Sequence, residues 1–402
     1  MKKIPLLFVF LFIISFAKAQ ENVITTGVPF LLVAADARAA GMADNGVASS
    51  ADTFSQQWNP AKYAFALDKQ GFSISYTPYL TDLVNDISLG QLTYYNRLNE
   101  RSAFAGSLRY FSLGEIELRE DAGPDYTTVK PSEYAIDGSY TLKLSEKFSL
   151  AVGGRFISSN LGLTTNGQSL SAANSFAVDV AGFFQSEEVA YNDFNGRWRA
   201  GFNLQNMGPK INYDLSQSNN GSNFLPANLK VGTGFDFILD DYNKVAVNVE
   251  FNKLLVPTPQ IPVPEPGIDS NNDGDFTDSG DKLPNDGRAT ANTNYTSIGW
   301  FEGMTQSFSD APGGFSEELK EITYSVGAEY LYQDSFAMRL GYFHESPDKG
   351  ARQFFSLGAG FKYNVVKVDV SYLFSTSQVK NPLENTLRFS LTFNFGDQYD
   401  EY

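Results

Sequence analysis

Residues 387–395 read LRFSLTFNF, and the alternation in that stretch decides the fold. Leu387, Phe389, Leu391, Phe393 and Phe395 take every second position, with Arg388, Ser390, Thr392 and Asn394 between them. Successive side chains of a strand point to opposite faces, so this is a strand with one apolar and one polar side. The apolar face keeps large Phe and Leu, while the other carries Arg, Ser, Thr and Asn. That contrast suits a wall between lipid and a wet lumen.

The same period recurs upstream. Val366, Val368, Val370, Tyr372 and Phe374 alternate with Lys367, Asp369 and Ser371; Val245, Val247, Val249 and Phe251 interleave with Asn248, Glu250 and Asn252. Trp198, Ala200, Phe202 and Leu204 do so with Arg197, Arg199, Asn203 and Gln205. Fourteen such segments are predicted, at 71–80, 87–96, 102–113, 132–144, 147–160, 172–185, 197–207, 226–239, 244–255, 320–333, 335–345, 352–363, 365–375 and 385–395. Each is near the roughly 9–11 residues a tilted strand needs to cross a bilayer, and the count is even. Connections alternate too. Arg97–Arg101, Ser145–Glu146, Asp240–Asn243, Gln333–Asp334 and Tyr363–Asn364 are short, with Ser186–Gly196 the exception, whereas 114–131, 161–171, 208–225 and 256–319 are long. The expected fold is all-β: a transmembrane antiparallel β-barrel of about fourteen strands over 71–396, with periplasmic turns, long extracellular loops and a polar tail at 397–402. Aromatic residues near strand ends (Tyr94, Tyr95, Tyr110, Phe111, Tyr330, Tyr332) fit interfacial girdles. A soluble β-sandwich also alternates, but it would not keep a large apolar face opposite a wet one throughout.

Composition narrows the chemistry. The 402 residues include 30 Lys+Arg, 46 Asp+Glu, no Cys and one His, His344. Thiolate nucleophiles, disulfides, iron–sulfur clusters and multi-His metal sites are excluded, and a Ser-His-Asp triad has almost nothing to draw on. A formal charge of −16 makes nucleic acid a poor partner. Lys2 and Lys3, the apolar run Ile4–Phe16 and Ala17-Lys18-Ala19 read as a secretory signal peptide over 1–19.

Residues 20–70 lack the strand period and are rich in small residues. A barrel of this size needs its lumen filled, and this segment is the natural plug; the competing reading is a periplasmic arm, which Phe30, Leu31, Leu32, Phe54 and Trp58 make unfavourable. Within it, 36–65 reads DARAAGMADNGVASSADTFSQQWNPAKYAF. Val28-Pro29-Phe30-Leu31, Asp36-Ala37-Arg38-Ala39, Gly41-Met42, Gly46-Val47-Ala48 and Trp58-Asn59-Pro60-Ala61 resemble the FadL-like outer-membrane proteins and, within them, the PorV-like branch of the type IX secretion system of Bacteroidetes. Arg38, Gly41, Met42, Trp58, Asn59 and Pro60 carry the plug motif; Ala40 and Ala43 stand where this family is expected to have glycine. The resemblance implies a non-enzymatic role without a required cofactor. Such proteins receive cargo bearing a C-terminal signal domain from a large translocon barrel and pass it to a sortase-like surface attachment complex. Membrane lipid and lipopolysaccharide would surround the wall. The alternative within the superfamily is a channel for hydrophobic small molecules such as fatty acids, whose wall strand glycines such as Gly232, Gly234, Gly358 and Gly360 would kink.

Loop 256–319 is the candidate partner or cargo site. Pro257, Pro259, Pro262, Pro264 and Pro266 favour an extended path. Trp300, Phe301, Met304 and Phe308 are spaced to share one side of a short helix, facing either a partner or the barrel mouth. Between them, Asp269, Asn271, Asp273 and Asp275 around Gly274 match the first half of a calcium loop, with Gly280 in place of the bidentate Glu and Asp278 or Asp281 as substitutes. A solvated acidic loop is the other reading. Arg109, Arg155, Arg199, Glu250, Glu329 and Arg339 fall on lumen-facing positions and are expected to tie plug to wall by ion pairs.

Overall fold

The computed structural model describes residues 23–81, 83–119, 126–162, 164–165, 168–169, 172–213, 222–270, 276, 282–377, 379 and 381–399. The expected signal peptide lies outside them. Fourteen long strands follow one another: β1 Asp68–Pro78, β2 Ile87–Arg97, β3 Ser102–Leu113, β4 Ser132–Ser145, β5 Phe148–Asn160, β6 Ala173–Gln185 and β7 Asn195–Met207. The second half comprises β8 Asn228–Ile238, β9 Asn243–Leu254, β10 Ile322–Tyr332, β11 Phe336–His344, β12 Gln353–Tyr363, β13 Val366–Ser375 and β14 Leu387–Gln398. Each pairs antiparallel with its neighbours in sequence, and β1 pairs with β14, so the sheet closes on itself.

Closure leaves no open edge, and the backbone groups of the wall pair strand to strand apart from bulges near Lys69, Asp179 and Leu144, the condition for crossing hydrocarbon. The faces divide as the alternation requires. On β14, Leu387 and Phe389 are 50% and 47% exposed, while Arg388 and Ser390 are 1% and 3%. The apolar side chains therefore point away from the protein and the polar ones into it. No helix among the described residues is long and apolar enough to cross a membrane; the crossing is done by strands.

Two expectations need correction. β1 begins at Asp68 and β14 runs past Phe395 to Gln398, because Asp68 pairs with Gln398 across a bulge. Tyr95 and Phe111 belong to the lumen, at 2% and 6% exposure, whereas their neighbours Tyr94 and Tyr110 face out. Adjacent strand residues cannot share a face, so only one of each pair can serve an interfacial girdle. Strand pairing runs unbroken through Gly232, Gly234, Gly358 and Gly360.

Candidate functional site

Residues 28–66 run inside the wall from one mouth of the barrel to the other. At the long-loop end Phe30 stacks on Phe111, 6.0 Å between rings, beside Ile211 and Leu225. At the short-turn end Phe65 meets Phe183 edge-on at 5.5 Å, and Tyr63 stacks on Tyr95 at 4.8 Å.

Between the ends the segment is folded by its own caps. Asp36 caps helix α1 (Ala37–Ala40), its Oδ2 accepting from Ala39 N at 2.8 Å. Its other oxygen accepts from Trp58 Nε1 at 2.6 Å, joining α1 to helix α2 (Ser55–Trp58). Asn59 caps the 3-10 turn Pro60–Phe65 through Ala61 N, and Pro60 takes the first position, where a missing N–H costs nothing. The same Asn59 donates to Val47 O at 2.9 Å and Gly182 O at 3.0 Å. Trp58 is 1% exposed, with the Lys230 ammonium 4.2 Å from its ring centre.

Arg38 is the electrostatic centre. Its guanidinium grips both oxygens of Glu329, at 3.1 and 2.7 Å, and Asp52 Oδ2 at 2.8 Å. Glu329 also receives Arg339 Nε at 2.7 Å, and Arg339 pairs with Asp369 at 2.8 Å. Charges this deep persist only as a satisfied network, which this one is on its Glu329 side. Other lumen-facing charges act on the segment's backbone. Glu250 Oε2 accepts from Gly46 N and Val47 N at 2.8 and 2.9 Å, and Arg109 donates to the carbonyls of Phe30, Leu31 and Val33. Arg155 and Arg199 make their ion pairs within the wall instead, with Asp137 and Asp179 and with Asp236.

Gly41 and Met42 sit where backbone meets backbone. Gly41 lies against Gly358, a Cβ on either being about 3 Å from the other's Cα, and a Cβ on Gly327 would lie 2.8 Å from the Met42 carbonyl oxygen. The same holds for Gly341 beneath Met42–Ala43 and for Gly201 beneath the Val47 carbonyl, at 2.7 and 2.5 Å. Small cavities lie on both sides of this level. One of about 170 Å³ touches Arg38, Asp52, Glu329 and Phe336 toward the short turns, and one of about 50 Å³ touches Glu250, Thr323 and Phe343 toward the long loops.

With this geometry established, residues 16–261, more than half of the chain, match the family model of the type IX secretion system protein PorV. The chain belongs to the PorV family. Among solved structures it is similar to a FadL homologue of Pseudomonas aeruginosa (13% identity, 93% of this chain and 100% of that one, TM-score 0.45). It is also similar to the toluene transporters TodX of Pseudomonas putida (12%, 88% and 95%, 0.47) and TbuX of Ralstonia pickettii (13%, 91% and 100%, 0.48). The curated proteins give no match. This PorV-family chain is thus an outer-membrane β-barrel.

The second candidate region of the PorV-family barrel is its longest loop. It holds helices α3 (Arg288–Ser297), α4 (Trp300–Gln306) and α5 (Phe315–Glu318). The four spaced apolar residues do not share one face. Met304 packs inward on Ala227 and Leu255, while Phe301 is 64% exposed; α4 ends at Gln306, so Phe308 follows the helix and is 52% exposed. Trp300 lies at the edge, its ring 5.7 Å from Phe301. Only Gly303 and Met304 of α4 are buried; Trp300, at 37% exposure, and Phe301 are not.

The loop's base is fastened by ions. Lys253 donates to Glu318 and Glu321 at 2.9 and 2.8 Å, and Lys349 to Glu317 and Glu321 at 2.6 and 3.1 Å. Asp310 accepts from Thr258 N at 2.9 Å, and burial raises its carboxyl above the usual range. These groups carried no recognisable sequence motif. Of the calcium candidates, Asp269 follows the bridge between Ile268 and Lys282, while Asn271, Asp273 and Asp275 lie outside the described residues. Among the described residues no cluster of three carboxylate or imidazole ligands is positioned for a metal.

Proposed function

We propose that this PorV-family barrel is a non-enzymatic component of type IX secretion that binds exported cargo at the large translocon barrel, through the cargo's C-terminal signal domain. It then delivers the cargo to a sortase-like attachment complex. In this reading the long loops face the cell exterior. The observation that carries it is the loop 256–319, which presents Phe301, Phe308 and Phe315 at 64%, 52% and 77% exposure from a base fixed to the barrel. Large apolar groups held in water by a rigid mount suit a protein partner. A channel for hydrophobic solutes would need an open apolar path, and charged groups and backbone fill the lumen instead.

Deleting 260–315 removes the apolar groups but leaves Lys253, Glu317, Glu318, Glu321 and Lys349 to close the base. The variant is expected to insert and fold, yet to lose co-purification with the translocon or with exported proteins sharing a C-terminal domain. Normal secretion by the deletion strain would rule the loop out. Recovery of wild-type protein from native membranes with lipid alone would remove the cargo reading itself.

A further inference from the structure

We propose that residues 28–66 form a fixed septum, seated on a belt of wall glycines, and that nothing passes through the lumen of this barrel. The inference does not rest on the cargo reading, since a sealed lumen is compatible with any use of the loops.

The belt follows from strand register. Gly201 of β7 faces Gly232 of β8, and Gly327 of β10 faces Gly341 of β11. Glu250 of β9 pairs with Gly232 on one side and with Ser325, two residues from Gly327, on the other; Gly358 of β12, opposite Arg339 and two residues from the partner of Gly341, lies against Gly41. Glycine weakens a strand, so a run of inward glycines at one level needs a reason. Here the reason is contact. Gly201, Gly327, Gly341 and Gly358 leave room for the backbone of Gly41–Val47 and Gly232 for the Val47 side chain, and side chains of ordinary size would collide there.

Hydrogen bonds then fix what the glycines admit. Ala37 N donates to Ser390 Oγ at 2.8 Å, Ala43 N to Ser356 Oγ at 2.7 Å, and Gly46 N and Val47 N to Glu250. The opposite side is held by Asn203 and Gln205, which donate to the carbonyls of Trp58 and Gln57, and by Thr141 and Ser149 on Pro60 and Ala61. A gate swings on a hinge and leaves most of its surface free. This segment is bonded to β4, β5, β7, β9, β12 and β14 together, and displacing it would strand buried donors and acceptors on all of them.

The test has two arms. Wild-type protein in planar lipid bilayers is expected to leave the current at the protein-free level; reproducible conductance steps would overturn the proposal. Gly341→Leu drives a side chain into Met42–Ala43 and is expected to open such steps, and a folded, heat-modifiable Gly341→Leu barrel that stays silent would show that the belt is not what seats the septum. Because that variant can fail to assemble, the second arm uses the absence of cysteine in this chain. Ala37→Cys with Ser390→Cys, oxidised, pins the segment to β14. The bilayer current of this variant is expected to stay at the protein-free level before and after oxidation, and steps that appear only when a reductant frees the pair would show that the segment moves.

Discussion

The Arg38 guanidinium and the Glu329 carboxylate, 291 positions apart in the chain, meet at 2.7 Å inside the barrel. Both are buried, and the contact ties the first structured segment to the tenth strand. Replacing Arg38 by Met keeps the bulk but leaves Glu329 with Arg339 alone and Asp52 without this cation. The expected loss is about 3–5 kcal/mol of barrel stability. Arg38→Lys retains the charge without the fork and should fall between. Urea unfolding in detergent, followed by heat-modifiable migration, measures both.

Trp58 tests the segment's internal fold. Trp58→Phe keeps one aromatic ring but removes the donor to Asp36 Oδ1 together with part of the buried indole, so a loss of about 1–3 kcal/mol is expected. Trp58→Ala also empties the space beside Lys230 and should cost about 3–5 kcal/mol. Equal effects of the two would show that the hydrogen bond, and not the packing, dominates.

Ala43 adopts a left-handed backbone, with φ 59°, at the position where glycine is expected in this family. That conformation costs a non-glycine residue about 1–2 kcal/mol, against about 0.8 kcal/mol for the buried methyl it retains among Phe354, Leu373 and Leu383. Ala43→Gly should therefore shift stability by no more than about 1 kcal/mol, in the stabilising direction. Ala43→Val, β-branched in the same backbone, should lose about 2 kcal/mol or more. Melting of the two purified variants decides it.

The base of the long loop should release at both extremes of pH. The hydrogen bond from Lys349 holds the Glu317 carboxyl below its ordinary 4.5, so its contribution is full above 4.5 and is lost as pH falls through the lowered value. Burial opposes the charge of Lys349, yet its bonds to Glu317 and Glu321 hold it above 10.5; that contribution is full below 10.5 and is lost as pH rises further. Cleavage within 282–319 by a protease active across this range should be slowest between those limits and faster outside them. A flat profile would mean the ion pairs do not hold the loop.

Strand number and facing were legible because period two, with Phe opposite Arg and Ser, admits one arrangement per strand. The segment over 28–66 carries the opposite sign, a loss of period with Trp58, Phe54 and Phe30 still in need of burial. Pairing among luminal charges was not. Arg38, Arg155 and Arg199 look alike in sequence, but only register shows that Arg155 lies between Asp137 and Asp179 while Arg38 reaches across to Glu329. What the wall glycines accommodate was not legible either, because a missing side chain does not announce what fills its place. In the long loop, Met304 and Phe301 separate through α4's contacts with Ala227 and Leu255, which lie far off in sequence.

The path of residues 28–66 bears on how the molecule is made. Phe30 rests at the mouth opposite to the one where Phe65 hands the chain to β1, so the segment spans the full height of the wall and its contacts draw on strands from both halves of the chain. Ala37 waits for Ser390, 353 positions later, and Thr53 for Asn394, 341 later. The last strand to be synthesised therefore completes the cylinder and the first segment's hydrogen bonds in one event. Contacts of such sequence separation are slow to form and give no partial credit along the way. A chain interrupted before β14 would lack both the strand that closes the wall and these partners of the first segment, so both wait on Leu387–Gln398.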